Sequence, residues 1–211
     1  GLLLPIFARM IKLKQHVQGM TDLSFSLLVI PAMIVSITCA FYSGEFMELL
    51  YSGEHVGESA AVFMILMCCF VPISTTYIYG TLLTANGSMR QLNLMATGGM
   101  VLNISLNIVL IPRYQAIGAA VSSLITQSVT CLAQVLMVRH TFRFQGLIGN
   151  SIRLVVFLLT TVGWTWLTVQ LQGGWILRFL LAAAGALRIS ACRRHCRPGY
   201  RVVPRHWITA L

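Results

Sequence analysis

The chain has 211 residues, of which 57% are hydrophobic, and its mean hydropathy is +0.80. This composition is typical of a protein in a lipid bilayer and excludes an ordinary water-soluble domain. The formal net charge is +10, but six of the fifteen basic residues lie within residues 188–211. The rest of the chain is only mildly basic, so nucleic-acid binding is not predicted.

Long apolar runs separated by charged breaks predict membrane-spanning helices, because about 20 apolar residues cross a hydrocarbon core roughly 30 Å thick. The predicted spans lie near residues 23–42, 59–84, 92–112, 116–138 and 152–171, with a sixth, less apolar one near 175–190. The runs are continuously apolar instead of alternating, which favours helices over the strands of a barrel. The predicted fold is an all-α, polytopic transmembrane bundle of five to six spans.

The predicted spans divide the chain into four parts. They are the end of a preceding helix with a basic loop at 1–22, a four-span region at 23–150, two additional spans at 151–190, and a basic tail at 191–211. The chain begins without an initiator Met, a charged n-region or a cleavage site, which we interpret as the C-terminal part of a longer protein. The tail turns abruptly into a mixture of Arg, Cys and His, and a frame error or truncation after about Gly185 is our interpretation.

Charged residues predict how the spans are oriented. Basic residues occupy every second loop, at 9–14, at Arg90 and at 139–153. The loop at 43–58 holds four of the five acidic residues and no Lys or Arg, and the chain from Ala60 to Leu211 has no carboxylate. By the positive-inside rule the basic loops face the cytoplasm and the acidic loop faces outward. The sequence therefore predicts a multi-pass protein of the cytoplasmic membrane.

No catalytic or metal site is predicted. Cys192, His195 and Cys196 could bind a metal, but they are only three ligands at spacings unlike those of zinc sites. Paired carboxylates, a Ser/His/Asp set and a phosphate-binding glycine loop are not evident in the sequence. Neither a cofactor nor enzymatic activity is expected, and the cysteines inside apolar runs suggest no disulfide framework.

Small residues mark predicted turns and helix contacts. The run Ala85-Asn-Gly87-Ser is a good helix stop, because Asn and Gly tolerate a left-handed backbone. Gly80 permits a close approach of two backbones. Gly118 and Ser122 are four residues apart on one helix face, where small side chains allow helices to pack closely in lipid.

Uncharged polar residues inside the spans have two interpretations. The second span holds a cluster of Ser, Thr and Tyr residues at 74–79. Asn103 and Asn107 lie on one face of the third span, and Gln127 and Gln134 lie in the fourth. They can form hydrogen bonds between helices. The alternative is that they line a cavity, where aromatic faces and amides bind sugar hydroxyls without an ionic cost.

Three motifs appear in a distinctive order. Tyr77-Ile-Tyr79-Gly-Thr-Leu-Leu-Thr-Ala-Asn-Gly-Ser-Met-Arg90 is followed by Asn103-Ile-Ser-Leu-Asn107-Ile-Val-Leu-Ile-Pro112 and then by Gly118-Ala-Ala-Val-Ser122-Ser. This order, together with Leu4-Pro-Ile-Phe-Ala-Arg9 and Leu50-Tyr-Ser-Gly53, resembles the C-terminal region of the polysaccharide-biosynthesis flippases. These O-antigen flippase-like exporters belong to the multidrug/oligosaccharidyl-lipid/polysaccharide superfamily. The motifs extend over residues 1–150, and residues 151–185 agree by hydropathy only.

The resemblance implies a two-lobed transporter, of which this chain is most of the second lobe plus an added pair of spans. Such a transporter moves an undecaprenyl-pyrophosphate-linked oligosaccharide across the bacterial inner membrane for surface polysaccharide, including lipopolysaccharide, biosynthesis. Expected partners are the lipid-linked oligosaccharide, membrane lipids and polysaccharide assembly proteins. The spans at 152–171 and 175–190 are expected to form a groove for the lipid tail.

If the polar residues of the spans line a cavity, the candidate substrate contacts are Tyr77, Tyr79, Asn103, Asn107 and Arg113. Arg113 follows Pro112 on the predicted outer side and could bind a pyrophosphate. The alternative for Arg113 is that its guanidinium reaches lipid phosphates at the membrane surface.

Two other functions stay open. One is a cation-coupled multidrug exporter of the same superfamily, which would normally need a carboxylate inside a span, and the predicted spans hold none. The other is a truncated, nonfunctional remnant.

Overall fold

The computed structural model describes residues 3–15, 17–51, 56–142, 147–170 and 174–195, and their side chains except those of 147–154 and 191–195. These residues form α1 (Leu3–Lys12), α2 (Gln18–Phe41), α3 (Ser43–Leu50), α4 (Val56–Ala85), α5 (Met89–Phe142), α6 (Leu147–Val169) and α7 (Trp175–His195). The described part of the chain contains no strand. The predicted all-α bundle is confirmed. Residues 196–211, most of the predicted tail, lie outside the described residues, as do the side chains of Cys192 and His195.

Three of the described helices, α2, α4 and α5, are long and apolar enough to cross a membrane by length and composition. The part of α6 with described side chains, Val155–Val169, is a shorter apolar helix. Helix α5 contains two of the predicted spans, because a non-helical residue divides it. The chain is therefore a multi-pass membrane protein.

Helix α5 is a hairpin of two antiparallel halves. Gln115 has φ 49° and ψ −124°, which breaks the helix into residues 89–114 and 116–142. The halves then meet in one register. Close pairs across them are Leu110 with Gly118, Asn107 with Ser122, Asn103 with Thr126, and Gly99 with Thr130. The residue numbers of each pair add to nearly the same value, which is the signature of an antiparallel hairpin.

The hairpin turn lies beyond the proline. Pro112 is inside the last turn of the first half, and the non-helical residue comes three positions later, at Gln115. Proline is compatible with a helical φ, and although it removes one hydrogen bond and its ring presses on the carbonyl four residues earlier, it can kink a helix without ending it. The two halves correspond to the predicted spans at 92–112 and 116–138.

Helix α4 is the centre of the bundle and contacts α1, α2, α3 and α5, whereas α2 also contacts α6 and α7. Two apolar clusters hold these helices together. One joins α2 and α4 to α6 and α7 through Met33, Ile78, Phe157 and Ala186. The other joins α1 to the last turns of α4 and to the second half of α5 through Phe7, Leu82, Leu83 and Val138.

The second cluster brings four helix ends to one side of the bundle: the ends of α1, α4 and α5 and the start of α5. Helix α4 ends at Ala85, and Gly87 has φ 77°. The Ser88 N–H donates to the Leu83 carbonyl and the Gly87 N–H to the Thr84 carbonyl, both at 3.0 Å. This is a Schellman C-cap, which satisfies the last carbonyls of α4 and reverses the chain into α5.

The acidic loop contains a short helix that was not predicted. Helix α3 occupies residues 43–50, and its Phe46 ring packs against Phe63, Trp175 and Phe179 with centroids 5.3 to 6.1 Å apart. Tyr42, fully buried, packs edge-on against Phe179 at 5.8 Å. Aromatic pairs at these distances stabilise beyond their buried area. The start of α7 therefore holds α3 against the bundle.

Candidate functional site

A ladder of hydrogen bonds joins the two halves of α5. The Ser122 hydroxyl donates to the Asn107 side-chain oxygen, and the Asn107 amide donates to the Asn103 oxygen at 3.0 Å. The Asn103 amide donates to the Thr126 hydroxyl at 3.3 Å. Asn103 and Asn107 share one face of the first half because they are four residues apart. Each of them therefore forms one hydrogen bond to the second half, Asn107 with Ser122 and Asn103 with Thr126.

Small residues let the two halves approach closely beside this ladder. A Cβ added to Gly118 would lie 2.5 Å from the Leu110 carbonyl oxygen, and one added to Gly99 would lie 3.0 Å from the Thr130 hydroxyl. Ser122 is fully buried in the same interface. The backbones are therefore in contact where Gly118 stands.

A second polar constellation lines an open cleft of about 470 Å³ beside α4. Helix α4 provides its floor, and α1 and both halves of α5 provide its walls. The lining residues are Leu4, Thr76, Tyr77, Gly80, Thr81, Thr84, Leu92 and Gln134. This volume falls within the range of small-molecule sites. We call this feature the α4 cleft.

Gln134 is the polar side chain buried most deeply in the α4 cleft. It is 6% exposed, and its Oε1 has no hydrogen-bond partner among the described residues. The same oxygen lies 3.3 Å from the position that a Cβ on Gly80 would take. The absence of a side chain at Gly80 thus makes room for the Gln134 amide.

Two of the threonine hydroxyls on the floor of the cleft donate within α4 itself, whereas the buried Thr76 Oγ1 has no hydrogen-bond partner among the described residues. Thr81 donates to the Tyr77 carbonyl at 2.6 Å, and Thr84 donates to the Gly80 carbonyl at 2.8 Å. Their oxygens keep lone pairs that can accept. Thr81 and Thr84 therefore offer hydrogen-bond acceptors beside methyl groups and glycine.

The five predicted substrate contacts are not brought together. Tyr77 is 52% exposed and lines the α4 cleft, whereas Tyr79 is 8% exposed and lies in the core, with its ring centroid 6.5 Å from that of Phe25. Two positions along a helix differ by about 200° in direction, which separates the two rings. Asn103 and Asn107 belong to the α5 ladder.

Arg113 stands apart from the others. It is exposed beside the α5 turn, next to exposed Tyr114. Counted along the second half of α5, the turn is about 27 Å from the level of Gln134 at 1.5 Å per residue. Substrate contact by these five residues stays a prediction.

The sequence contained a signal for the cleft that was not used. Thr76, Gly80 and Thr84 recur every four residues and so form one stripe of small side chains along α4. Gln134 was noted as a polar residue inside a span, but its position against Gly80 depends on how α5 packs on α4. Among the side chains that the structure describes, no three His, Cys, Asp or Glu residues are grouped closely enough to hold a metal ion.

A family model described as lipid II flippase MurJ matches residues 1–184 of the chain. The comparison with curated proteins gave no match. The family match confirms the predicted resemblance at the level of a flippase for lipid-linked substrates, and it covers helices α1 to α6 completely.

Proposed function

Because the chain belongs to the lipid II flippase MurJ family, we propose that it is part of a transporter that moves lipid II across the bacterial cytoplasmic membrane. The observation that carries this proposal is the family match over residues 1–184, which contain the three helices that are long and apolar enough to span a membrane in the described part of the chain. A flippase relocates its substrate without making or breaking a covalent bond. Its partners would be the lipid-linked precursor and the surrounding membrane lipids.

The chemistry of the described helices supports a cargo with a saccharide headgroup. The buried polar side chains of the described residues are Ser, Thr and Gln, which bind hydroxyl groups without an ionic cost. The charged residues of α5 stand at its ends or beside its turn: Arg90, Arg113, Arg139 and His140. Helix α5, which is polar but uncharged between its ends and its turn, can let a saccharide pass and keep charge for the membrane surfaces, where the pyrophosphate begins and ends its path.

We propose Arg113 as a contact for the pyrophosphate on the outer side. Its guanidinium is exposed beside the hairpin turn, and guanidinium groups bind phosphate oxygens with two parallel hydrogen bonds. A lipid-linked oligosaccharide for surface polysaccharide has the same pyrophosphate, so this residue would serve either cargo. The saccharide part decides between the two substrates.

Complementation in two host strains tests the proposal. The complete gene that encodes this chain is expressed in a strain depleted of its own lipid II flippase and in a strain lacking its oligosaccharide flippase. Growth restored only in the first strain supports lipid II as substrate. Surface polysaccharide restored only in the second strain assigns the oligosaccharide instead.

Membrane insertion must be verified in both strains, for example by detecting an epitope tag in the membrane fraction. Restoration of neither phenotype by an inserted protein overturns flipping of both lipids. Ser105→Ala is a suitable control for the effect of a substitution as such. The Ser105 hydroxyl is exposed and donates within its own helix to the Val101 carbonyl at 2.8 Å, so its loss should disturb no contact between helices. It should behave like the wild type throughout.

A further inference from the structure

We propose that helix α3 lies in the membrane surface, and that the side chains of Leu49, Leu50 and Tyr51 insert among the lipids of the leaflet at this end of the bundle. By the predicted orientation of the spans this is the outer leaflet. The contact follows from where α3 lies beside the spans, so it does not depend on which lipid the transporter moves.

Three large side chains in succession are uncovered at the end of α3. Leu49, Leu50 and Tyr51 are 67%, 66% and 62% exposed. On the same helix Met47 is buried, and the Phe46 ring packs against the bundle, so these contacts fix which way α3 faces. Single exposed apolar residues are common, whereas a continuous exposed patch beside a membrane span indicates contact with lipid or with another protein.

The level of α3 along the bundle favours lipid. Glu58 is the only charged residue in the sequence of α4, and because a charge avoids hydrocarbon, it marks the headgroup level. Phe63 lies five residues further along α4, about 8 Å deeper at 1.5 Å per residue. Its ring centroid is 6.1 Å from that of Phe46 in α3. Since the headgroup region is about 5–8 Å thick on each side of a bilayer, α3 lies near the boundary between headgroups and acyl chains.

The start of α7 gives the same level. Trp175 is the first residue of α7, and its ring centroid is 5.8 Å from that of Phe46. Tryptophan is enriched where a membrane meets water. Arg178, one turn further along α7, donates from its Nη1 to the Val169 carbonyl at the end of α6, at 3.0 Å. A charged side chain near the ends of two helices is expected at the membrane surface, so α4 and α7 both place α3 there.

The acidic residues of α3 lie on the opposite side from its contacts with the bundle. Glu45 and Glu48 are three residues apart and share a face that is turned away from Phe46 and Met47. Leu50 is on the same side as Phe46 but is exposed, so the bundle does not cover the end of the helix. A helix with one polar and one apolar face can lie in the membrane surface with its carboxylates toward water. Carboxylates are not attracted to anionic lipids, so the apolar side chains would provide this contact.

Photocrosslinking from single positions of the complete transporter tests the contact. Leu50 is replaced by p-benzoylphenylalanine, and the purified protein is irradiated in vesicles of phosphatidylethanolamine and phosphatidylglycerol. We expect a phospholipid adduct in the mass spectrum of the protein. The same adduct is expected from Leu159, which is exposed in the middle of α6 and serves as the positive control. Glu48 is the matched position on the acidic face of α3, and its adduct should be several-fold weaker.

The same replacement at Leu49 controls for a local distortion at Leu50. Adducts no stronger at Leu49 and Leu50 than at Glu48 would mean that these side chains are in water. A crosslink from them to a protein segment in place of lipid would mean that protein covers them. Either result overturns the proposal. Because the crosslink forms without transport, its outcome is independent of whether the transporter moves lipid II.

Discussion

Ser122 in the second half of α5 donates a hydrogen bond to Asn107 in the first half, and Asn107 in turn donates to Asn103 at 3.0 Å. Asn107 therefore takes part in both a contact between the two halves and a contact within one. The Ser122 hydroxyl also lies 2.9 Å from the Ala119 carbonyl. These bonds tie the hairpin together in a medium where polar groups have few other partners.

Replacing Asn107 by Leu should lower the free energy of unfolding by about 1–2 kcal/mol, because two hydrogen bonds are lost and membrane hydrogen bonds contribute about 0.6 kcal/mol on average, up to about 1.7. Denaturant unfolding of the purified transporter measures this change. Ser105→Ala, which loses only a bond within its own helix, should change the stability by much less. If Asn107→Leu keeps full stability but loses transport, the predicted substrate contact is the correct role for Asn107.

The contact between Gly118 and Leu110 should not tolerate even one methyl group. A Cβ at Gly118 would lie 2.5 Å from a backbone oxygen, which cannot move away as a flexible side chain can. We expect Gly118→Ala to lower the free energy of unfolding by about 1–3 kcal/mol through overpacking.

Thermal denaturation of Gly118→Ala beside Gly98→Ala checks this prediction. Gly98 is helical and open to its surroundings, so its substitution should be neutral or stabilising by up to about 1 kcal/mol, the helix preference of Ala over Gly. Equal melting temperatures for the two variants would contradict the close contact of the α5 halves.

The turn between α4 and α5 depends on the backbone of Gly87. Its φ of 77° lies in the left-handed region, and no atom lies within 4 Å of its Cβ position. The effect of a substitution therefore comes from backbone conformation alone. Gly87→Ala should lower the free energy of unfolding by about 1 kcal/mol, and Gly87→Asn should do so by less, since Asn tolerates this region.

These two variants are compared with the wild type in equilibrium unfolding. An unchanged stability for Gly87→Ala would indicate that the Schellman cap does not form.

The indole of Trp164 occupies the space that a side chain at position 185 would need, so only glycine fits there. A Cβ on Gly185 would lie 2.0 Å from the Trp164 Nε1, and that N–H donates to the Leu181 carbonyl at 3.3 Å. We expect Gly185→Ala to displace the indole, break this bond and loosen the contact of α6 with α7, lowering the free energy of unfolding by about 1–2 kcal/mol.

A double-mutant cycle checks whether the indole is the cause. In a Trp164→Leu background, Gly185→Ala should have a much smaller effect, giving a clear coupling energy between the two positions. Additive effects would show that the two residues do not meet.

The role of Arg113 depends on its charge and its shape. If Arg113 binds the pyrophosphate, Arg113→Gln should reduce the transport rate about tenfold, which corresponds to the loss of one charge-assisted hydrogen bond of about 1.4 kcal/mol. Arg113→Lys should reduce it less, because the charge stays while the two-pronged geometry is lost. The flux of lipid II in vesicles containing the reconstituted transporter measures both.

Since Arg113 is exposed beside the α5 turn, neither variant should alter the melting temperature. Equal transport by Arg113→Gln and wild type would assign this residue to the lipid surface alone.

The spans could be predicted because the signal is local. A run of apolar residues such as that in α4 must be helical in lipid whatever its neighbours are, since only internal hydrogen bonds satisfy its backbone. The stop at Asn86-Gly87 depends on the chain's own conformational preferences and could be located in the same way. The turn of α5 was harder, because Pro112 marks its neighbourhood while Gln115, a residue with no turn preference, takes the positive φ.

What only the tertiary structure decided is which side chains meet. The sequence placed Asn103 with Asn107 on one face, but their bonds to Ser122 and Thr126 depend on the register of two helices across a turn. Tyr77 and Tyr79 are both predicted substrate contacts, and the packing of α4 places Tyr77 in a cleft and Tyr79 in the core. The acidic loop contains helix α3, and the Phe46 ring of that helix packs against aromatic rings of α4 and α7. Hydropathy sums over neighbours in the chain and so determines the spans, whereas contacts depend on distances in space between residues that can be far apart in the chain, such as Tyr42 and Phe179.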